Sequence, residues 1–532
     1  VTHGSGATPA ARSADRWFVA TFAVLAVATV LPIWIAKYLP LLDLPNHLTA
    51  VAVWHYHDDP AWDFAQYYDL NLVPLPYWAH YYTVHLLTYV TRSVEVANKI
   101  FLTGYALALP LGALAFARRF GRSRWLALFA FPLVWNFNLA DGFIAYCAGF
   151  AAVPWALVVV DVHCERPTWR TALAVAAIGT LTYFFHLLAY ALFLTCAGVV
   201  VLMQRRALDA RLFALRSLPV LSAAGIGVWA LRHANKMNFR PVTGAGRDLI
   251  YDPLAQRLAQ IPERLINFVP GQIDEIVLVV LVVCWLALVV TAARAHEQEP
   301  HSDEPPRLQP QHDERQHEGL HGWRVEACVL AALALYLVAP RSMQKPFYWH
   351  MINGRFVVAL ALFAVLAVRG RIDGWRRWLL APVAVASLVY TVALCDAFRT
   401  FNQHAAGFDE VVEKLPRGKR VLTMILRPMG DPTTVNVSAF NQFPSYVQLR
   451  RGGYNFYNFA EGFPLRYRYR LPAPPWSHAE EFRWGDHGPT YDYFVVFREG
   501  WEYDPMKGPR EDGKVRLVTE RGVWKLYEKI AD

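Results

Sequence analysis

The chain has 532 residues, 55% of them hydrophobic and 18% charged, with a formal net charge of +9. Soluble domains hold about 45–50% apolar and about 25% charged residues, so this balance leans toward a membrane class. The positive charge does not indicate nucleic acid, because Arg and Lys gather at the ends of apolar runs rather than on one basic face. The six Cys lie in or beside apolar runs with no CxxC pair, which speaks against a zinc ribbon or a disulfide scaffold.

Apolar runs near 20 residues long recur through the first three quarters of the chain and then stop. A helix rises about 1.5 Å per residue, so such runs cross a hydrocarbon core of about 30 Å. A polar tail precedes the first run; Pro32, Trp34 and Lys37 follow it where a cleavage site would need small residues, so it reads as a retained helix. The expected spans are 17–36, 97–117, 125–138, 143–162, 171–185, 188–203, 212–231, 275–293, 325–339, 355–369 and 378–397. The expected fold is therefore mainly α, a polytopic membrane protein with about 11 transmembrane helices and a small soluble α/β C-terminal domain. Its divisions are a membrane domain over 1–397, with a long first outer loop at 37–96, and an extracytoplasmic domain over 398–532.

Just beyond the first span, "LPLLDLPNHLTAVAVW" sets Asp43, Asn46 and His47 at the membrane–water boundary. An ionisable group there needs water, a partner or a substrate, although Asp43 or Asn46 could equally cap the helix that follows. Asp58 and Asp59 precede Pro60 in a turn pattern. "PYWAHYYTVHLLTYV" has the Tyr and Trp content of a helix lying at headgroup level. Arg118, Arg119, Arg122 and Arg124 then follow span two, Arg166 and Arg170 span four, Arg205, Arg206 and Arg211 span six, and Arg369, Arg371, Arg376 and Arg377 span ten. A cytoplasmic N-terminus places all of these inside, provided the chain turns near His186. Merging spans five and six would invert everything downstream.

The outer side then receives "WNFNLADGFIAYCAGF", where Asn136, Asn138 and Asp141 stand between two short spans, and Gly142 and Gly149 permit close helix approach. His186 lies at the next outer turn among aromatic residues, as either a packing or a site histidine. Two outer loops are basic against the topology bias: one holds Arg232, His233, Lys236, Arg240 and Arg247, the other Arg341, Lys345, His350 and Arg355. A bound phosphate would account for the second, since Arg and Lys match its oxygens; lipid headgroups are the plainer alternative. The inner stretch 294–323 is polar, contains proline, and reads as a disordered linker; its histidines lack the spacing of a metal site. From residue 398 onward "FDEVVEKLPRGKRVLTMIL" reads as helix, turn and strand, "YDYFVVF" as a strand, and "KVRLVTERGVWKLYEK" as a hairpin around Arg521-Gly522.

The outer Asp after span one, the long interfacial loop, the polar-tipped helix pairs and the basic outer loops together resemble the glycosyltransferase-C superfamily. "DLPNH" is similar to a D-x-P-N-H pattern in bacterial members of unassigned specificity. The resemblance implies transfer of a sugar, with inversion, from a polyprenyl-phosphate donor to a glycan, lipid or protein acceptor at the outer face of a bacterial cytoplasmic membrane. Asp43 would serve as base on the acceptor hydroxyl, with His47 orienting it or touching phosphate. Arg341, Lys345, His350 and Arg355 would hold the donor phosphate, and Asn46, Asp58, Asp59, Asp141, His186 and Arg240 are further candidates. Many members carry adjacent acids where Leu44 follows Asp43 here; no cofactor is fixed, and a divalent cation (Mg²⁺ or Mn²⁺) is left open. The expected partners are the bilayer, the polyprenyl-linked sugar and the acceptor, with no nucleic acid. The rival readings are a lipid or glycan flippase and a glycan-binding envelope protein using "RGGYNFYNFAEGFPLRYRYRLPAPPW". P-loop, GxGxxG, HExxH and GxSxG patterns are absent in any fitting context.

Overall fold

The computed structural model describes residues 9–73, 75–204, 209–232, 248–297, 320–344, 349–426, 435–460, 464–475 and 478–530. The uncharged apolar runs form helices α1 (Pro9–Ile35), α4 (Val94–Arg119), α5 (Ile144–Glu165), α6 (Trp169–Phe185), α7 (Leu187–Leu202), α8 (Ala210–Arg232), α9 (Ile273–Glu297), α10 (Arg324–Val338), α11 (Val357–Leu366) and α12 (Ala381–His404). Between α1 and α4 the first loop adds α2 (Leu44–His55) and α3 (Trp78–Thr91). Among the described residues seven helices are long and apolar enough to cross a membrane, and α7 and α11 sit in two shorter apolar segments. The chain is a multi-pass membrane protein.

Where a single span was expected at 125–138, the chain instead forms a 3₁₀ turn at Arg124–Phe129, a short helix at Ala130–Val134 and another at Phe137–Ala140. Asn136 causes the break: its side chain accepts from the Asn138 and Leu139 amides and donates to the Leu133 carbonyl at 2.8 Å, satisfying helix ends away from water. Helices α6 and α7 are separate, with His186 extended between them at φ −164°. A side chain at Gly149 would lie 2.8 Å from Ala189 Cβ and 3.0 Å from Phe185 Cβ, so α5 approaches this junction closely. The linker expected at 294–323 is shorter at both ends, because α9 runs to Glu297 and a 3₁₀ turn occupies Leu320–Trp323; residues 298–319 lie outside the described residues.

Several arginines at helix ends are also partners of buried or half-buried acids. Fully buried Asp161 in α5 accepts from Arg119 Nε at 2.7 Å, from Gln204 at 2.8 Å and from Arg324. Glu326 receives Arg122 at 2.8 Å and Arg369 at 2.6 Å. These contacts tie together the ends of α4, α5, α10 and α11 at the end of the bundle away from the first loop.

The long loops and the C-terminal region interlock. Strand β1 (Tyr68–Leu70) of the first loop pairs antiparallel with β5 (Leu465–Tyr467), and β2 (Leu249–Ile250) with β3 (Ser342–Met343). Strands β4 (Val421–Leu426), β6 (Tyr493–Arg498), β7 (Val515–Arg521) and β8 (Trp524–Lys529) form a sheet in the order β4-β6-β8-β7, with only β4 and β6 parallel. β4 and β6 are buried on both faces, while edge strand β7 is charged and exposed. Phe443 joins this sheet to the membrane helices: its ring centre is 5.5 Å from Trp524, 6.1 Å from Phe401 of α12 and 5.1 Å from Tyr38 beyond α1. Tyr38 donates to Asp409 at 2.7 Å, and Gly452 (φ 69°) lies so near the Trp62 carbonyl that a Cβ would clash at 2.2 Å.

Replacing Asp161 with Ala leaves Arg119 and Arg324 without their shared carboxylate. Breaking a buried pair in this way costs about 3–5 kcal/mol. The expected outcome is a much lower thermal midpoint in detergent, with Arg119→Ala showing a smaller loss because its side chain is partly solvated.

Candidate functional site

The first loop turns sharply at Leu42–Asp43 and lays its backbone along the polar turn that ends in Asp141. The Leu42 amide donates to the Ala140 carbonyl at 2.9 Å, and the Asp43 amide to the Asp141 carbonyl at 3.3 Å. Gly142 makes this approach feasible. It sits at φ +82°, and a Cβ there would fall 2.5 Å from the Asp43 nitrogen and 2.8 Å from its Cβ. Two carboxylates far apart in sequence therefore share one end of the bundle. Pro45, in the first turn of α2, fixes the chain direction after Asp43, which precedes that helix without capping it.

Buried Arg355 faces the same place. Its Nη1 lies 2.8 Å from His186 Nε2, its Nη2 donates to the His350 carbonyl at 3.3 Å, and its guanidinium lies 3.7 Å from the centre of the Phe143 ring. Its Nε has no partner among the described residues, and neither does buried Oδ2 of Asp141. The Asp43 carboxylate accepts no hydrogen bond among the described residues. Buried polar atoms left open in this way cost stability unless another group arrives to meet them.

Burial pushes Asp43 up to about 7; neighbouring Asp141 adds to that rise and Arg355 opposes it. Burial also raises Asp141 to about 7, against the pull of Arg264 and Arg355. Both acids thus titrate near neutrality, the range suited to a proton acceptor. His186 is driven well below its ordinary value by burial and then by Arg355, so it is neutral.

The two basic loops are joined by the β2–β3 ladder, and the Arg341 amide donates to the Ile250 carbonyl at 2.7 Å. Arg341 pairs with Asp252 at 3.1 Å. Arg264, not singled out by the sequence reading, rests against the Phe137 ring at 4.9 Å and contacts Gly354. Arg341, Arg264 and Arg355 all act on His350, which burial and these cations hold below its ordinary value. The loops thus bring three arginines around one histidine beside the paired acids. Tyr77, also not singled out, faces His186 at 3.2 Å and adopts φ +77°; Met351 next to His350 adopts φ +53°. Strained backbone at two positions bordering one site is a feature of functional centres.

His47 adjoins this centre through the Gly142 backbone and the Tyr77 ring, and the other candidates lie farther off. His47 is buried in a ring of aromatics with Nδ1 2.7 Å from the Tyr81 hydroxyl; burial and His80 lower it to about 3, so it carries no charge for phosphate. Asn46 donates to Gln442 at 2.8 Å and accepts from Ser445, tying α2 to the C-terminal region. Asp58 is exposed beside His57, and Asp59 closes a turn onto the Ala61 amide at 2.9 Å; both lie at the far end of α2, about 18 Å along the helix from Asp43. Lys345 and Arg240 lie outside the described residues. In the aromatic segment, Tyr454 and Tyr457 are buried and Tyr469 is exposed.

Changing Gly142 to Ala forces a side chain into the Asp43 backbone. We expect at least a tenfold fall in whatever turnover the Asp43 centre supports, with a modest change in thermal midpoint, because the displaced segment is one loop rather than the helical core. Steady-state rates and melting curves of purified protein check this.

No family model matches the sequence, and no curated protein matches it either. Among solved structures it is similar to ArnT from Cupriavidus metallidurans bound to undecaprenyl phosphate, with TM-score 0.56, 12% identity, and coverage of 98% of this chain and 99% of that one. The apo state of the same protein matches with TM-score 0.55 over the same shares. The arabinofuranosyltransferase AftD from Mycobacteria matches with TM-score 0.50 and 14% identity, over 97% of this chain and 40% of that one. The chain shares the overall fold of these solved structures along almost its whole length.

Proposed function

We propose that this protein is a membrane glycosyltransferase that moves a sugar from a polyprenyl-phosphate donor to an acceptor hydroxyl, with inversion at the anomeric carbon. The observation that carries the reading is the pairing of Asp43 and Asp141 beside Arg355, with Arg264 and Arg341 close by. A carboxylate titrating near 7 is suited to accept a proton from an attacking hydroxyl, a role that typically contributes about 10²–10⁴-fold. The incoming oxygen bonds to the anomeric carbon as the bond from that carbon to phosphate breaks. The proton passes to Asp43, and polyprenyl phosphate departs with the electron pair.

Charge gathers on that leaving phosphate as the bond breaks. Arg355, buried and fixed against Phe143 and His186, is an already oriented cation for it, and its unpartnered Nε is a free donor. The undecaprenyl phosphate bound to C. metallidurans ArnT is the same class of leaving group. The reading extends to sidedness: the N-terminus in the cytoplasm, with the first loop, both basic loops and the C-terminal region outside a bacterial inner membrane. The acceptor is a glycan, lipid or protein presented there.

A divalent cation fits this site in part. Asp43 and Asp141 supply oxygen ligands, and Asp141 Oδ2 lacks a partner; among the described residues no cluster of three or more His, Cys, Asp or Glu is gathered. Mg²⁺ or Mn²⁺ typically binds through one or two carboxylates plus phosphate, and would supply positive charge to the phosphate oxygens. Asp43 and Asp141 are the residues that would hold it.

Purified protein is to be assayed for polyprenyl-phosphate release from a panel of polyprenyl-phosphate sugars with envelope lipid extract. Wild type is expected to turn over, and Asp43→Asn to lose at least a hundredfold while still folded. Equal rates would remove Asp43 as base; absence of both turnover and donor binding would remove the enzyme reading. Stability carries a second signature. A carboxyl raised from about 4 to about 7 on folding stabilises the native state below pH 4 relative to higher pH, and that contribution is lost as pH rises through 7. Asp43→Asn and Asp141→Asn should therefore raise the melting temperature more at pH 8 than at pH 5.

A further inference from the structure

Helices α2 and α3 pack together in the first loop, and their contact carries two histidines that the site above does not use. His55 closes α2 and His85 lies within α3; their Nδ1 atoms are 3.3 Å apart. At that separation one imidazole can donate to the other when no ion lies between them. The separation also coincides with the edge of a tetrahedral zinc site: two nitrogens each about 2.0–2.1 Å from the metal stand about 3.3–3.4 Å from one another.

The rings are held in place by their neighbours. They cross at 70° with centres 4.9 Å apart. Trp54 stacks on His85 at 4.8 Å, and Tyr89 meets His55 at 4.4 Å and His85 at 5.1 Å, edge-on to each. Among the described residues neither imidazole has another hydrogen-bond partner, and both keep partial access to solvent. Burial lowers both from their ordinary value, with Arg92 adding to the effect at His55 and His55 adding to it at His85. Arg92 is the opposing charge, and Tyr56 and Tyr89 are the other titratable neighbours. With no carboxylate in the set, affinity is set by the two imidazoles alone.

We propose that His55 and His85 form a two-histidine site for a borderline divalent metal ion, Zn²⁺ by its geometry, with water completing the tetrahedron. A bound ion would pin the C-terminal end of α2 to α3. Because α2 begins immediately after Asp43, the ion would steady the helix that carries the proposed base while standing a helix length away from it. The site is independent of the reaction proposed above.

The test is a titration of the full chain in detergent with Zn²⁺ alone, followed by calorimetry, and with Co²⁺ alone, followed by visible absorption, for wild type, His55→Phe and His85→Phe. One equivalent of Zn²⁺ should disappear in each variant, together with the tetrahedral Co²⁺ bands, and Zn²⁺ should raise the melting temperature of wild type only. Histidines of the 294–323 segment are a second source of metal sites, but they are common to all three proteins, so the difference belongs to His55 and His85. Identical titrations and identical Zn²⁺ stabilisation in all three would overturn the proposal. If a Phe variant does not fold in chelator, His85→Asn replaces it, with the same loss expected.

Discussion

Two backbone hydrogen bonds, from Leu42 to Ala140 and from Asp43 to Asp141, are the constraint on which the rest of this end of the bundle depends. They bring a loop that follows the first span against a turn that precedes α5, and they are feasible only because residue 142 has no side chain. Once they form, two acids lie within reach of one buried arginine, and their carboxyls are forced into the neutral range. The energetic burden of these open polar groups is offset elsewhere: by the Asp161 and Glu326 ion network at the opposite end, and by the aromatic cluster around Phe443.

The C-terminal region acts as a clasp on the first loop rather than as a separate appendage. β1 pairs with β5, Asn46 and Thr49 reach the segment before and within 445–451, and Arg450 pairs with Glu95 at the start of α4. Tyr38, Asp409 and Phe443 tie the same region to the end of α1 and to α12. A loop fixed at both its ends holds Asp43 more precisely than a free one could, and the proposed transfer would depend on such placement.

Much of the membrane part was legible because hydrocarbon excludes charge, so uncharged runs and arginine-rich junctions mark helices directly. The break at His186 was legible only through charge parity, since local hydropathy runs smoothly across it; the structure puts it between α6 and α7. Asp43 and Asp141 were each visible as polar groups at helix tips. Their pairing was not, because they are 98 positions apart and a turn held by a glycine leaves no pattern in either segment. Arg264 was hidden by its neighbour Glu263, which makes "PERL" read as a solvated helix face. Asp161 carried a usable signal that went unread, an acid inside "ALVVVDVHC", where only a buried partner permits it. Arg119 and Arg324 supply that partner.

Arg355 and the paired acids act as one electrostatic unit. The most direct test is the rate of polyprenyl-phosphate release between pH 5 and 9 for wild type and Arg355→Gln. The wild-type rate should rise through a midpoint near 7, and the variant should be slower with its midpoint moved to higher pH, because a nearby cation that favours the Asp43 carboxylate has been removed. A variant with an unmoved midpoint, or a wild-type rate indifferent to pH across this range, would contradict it.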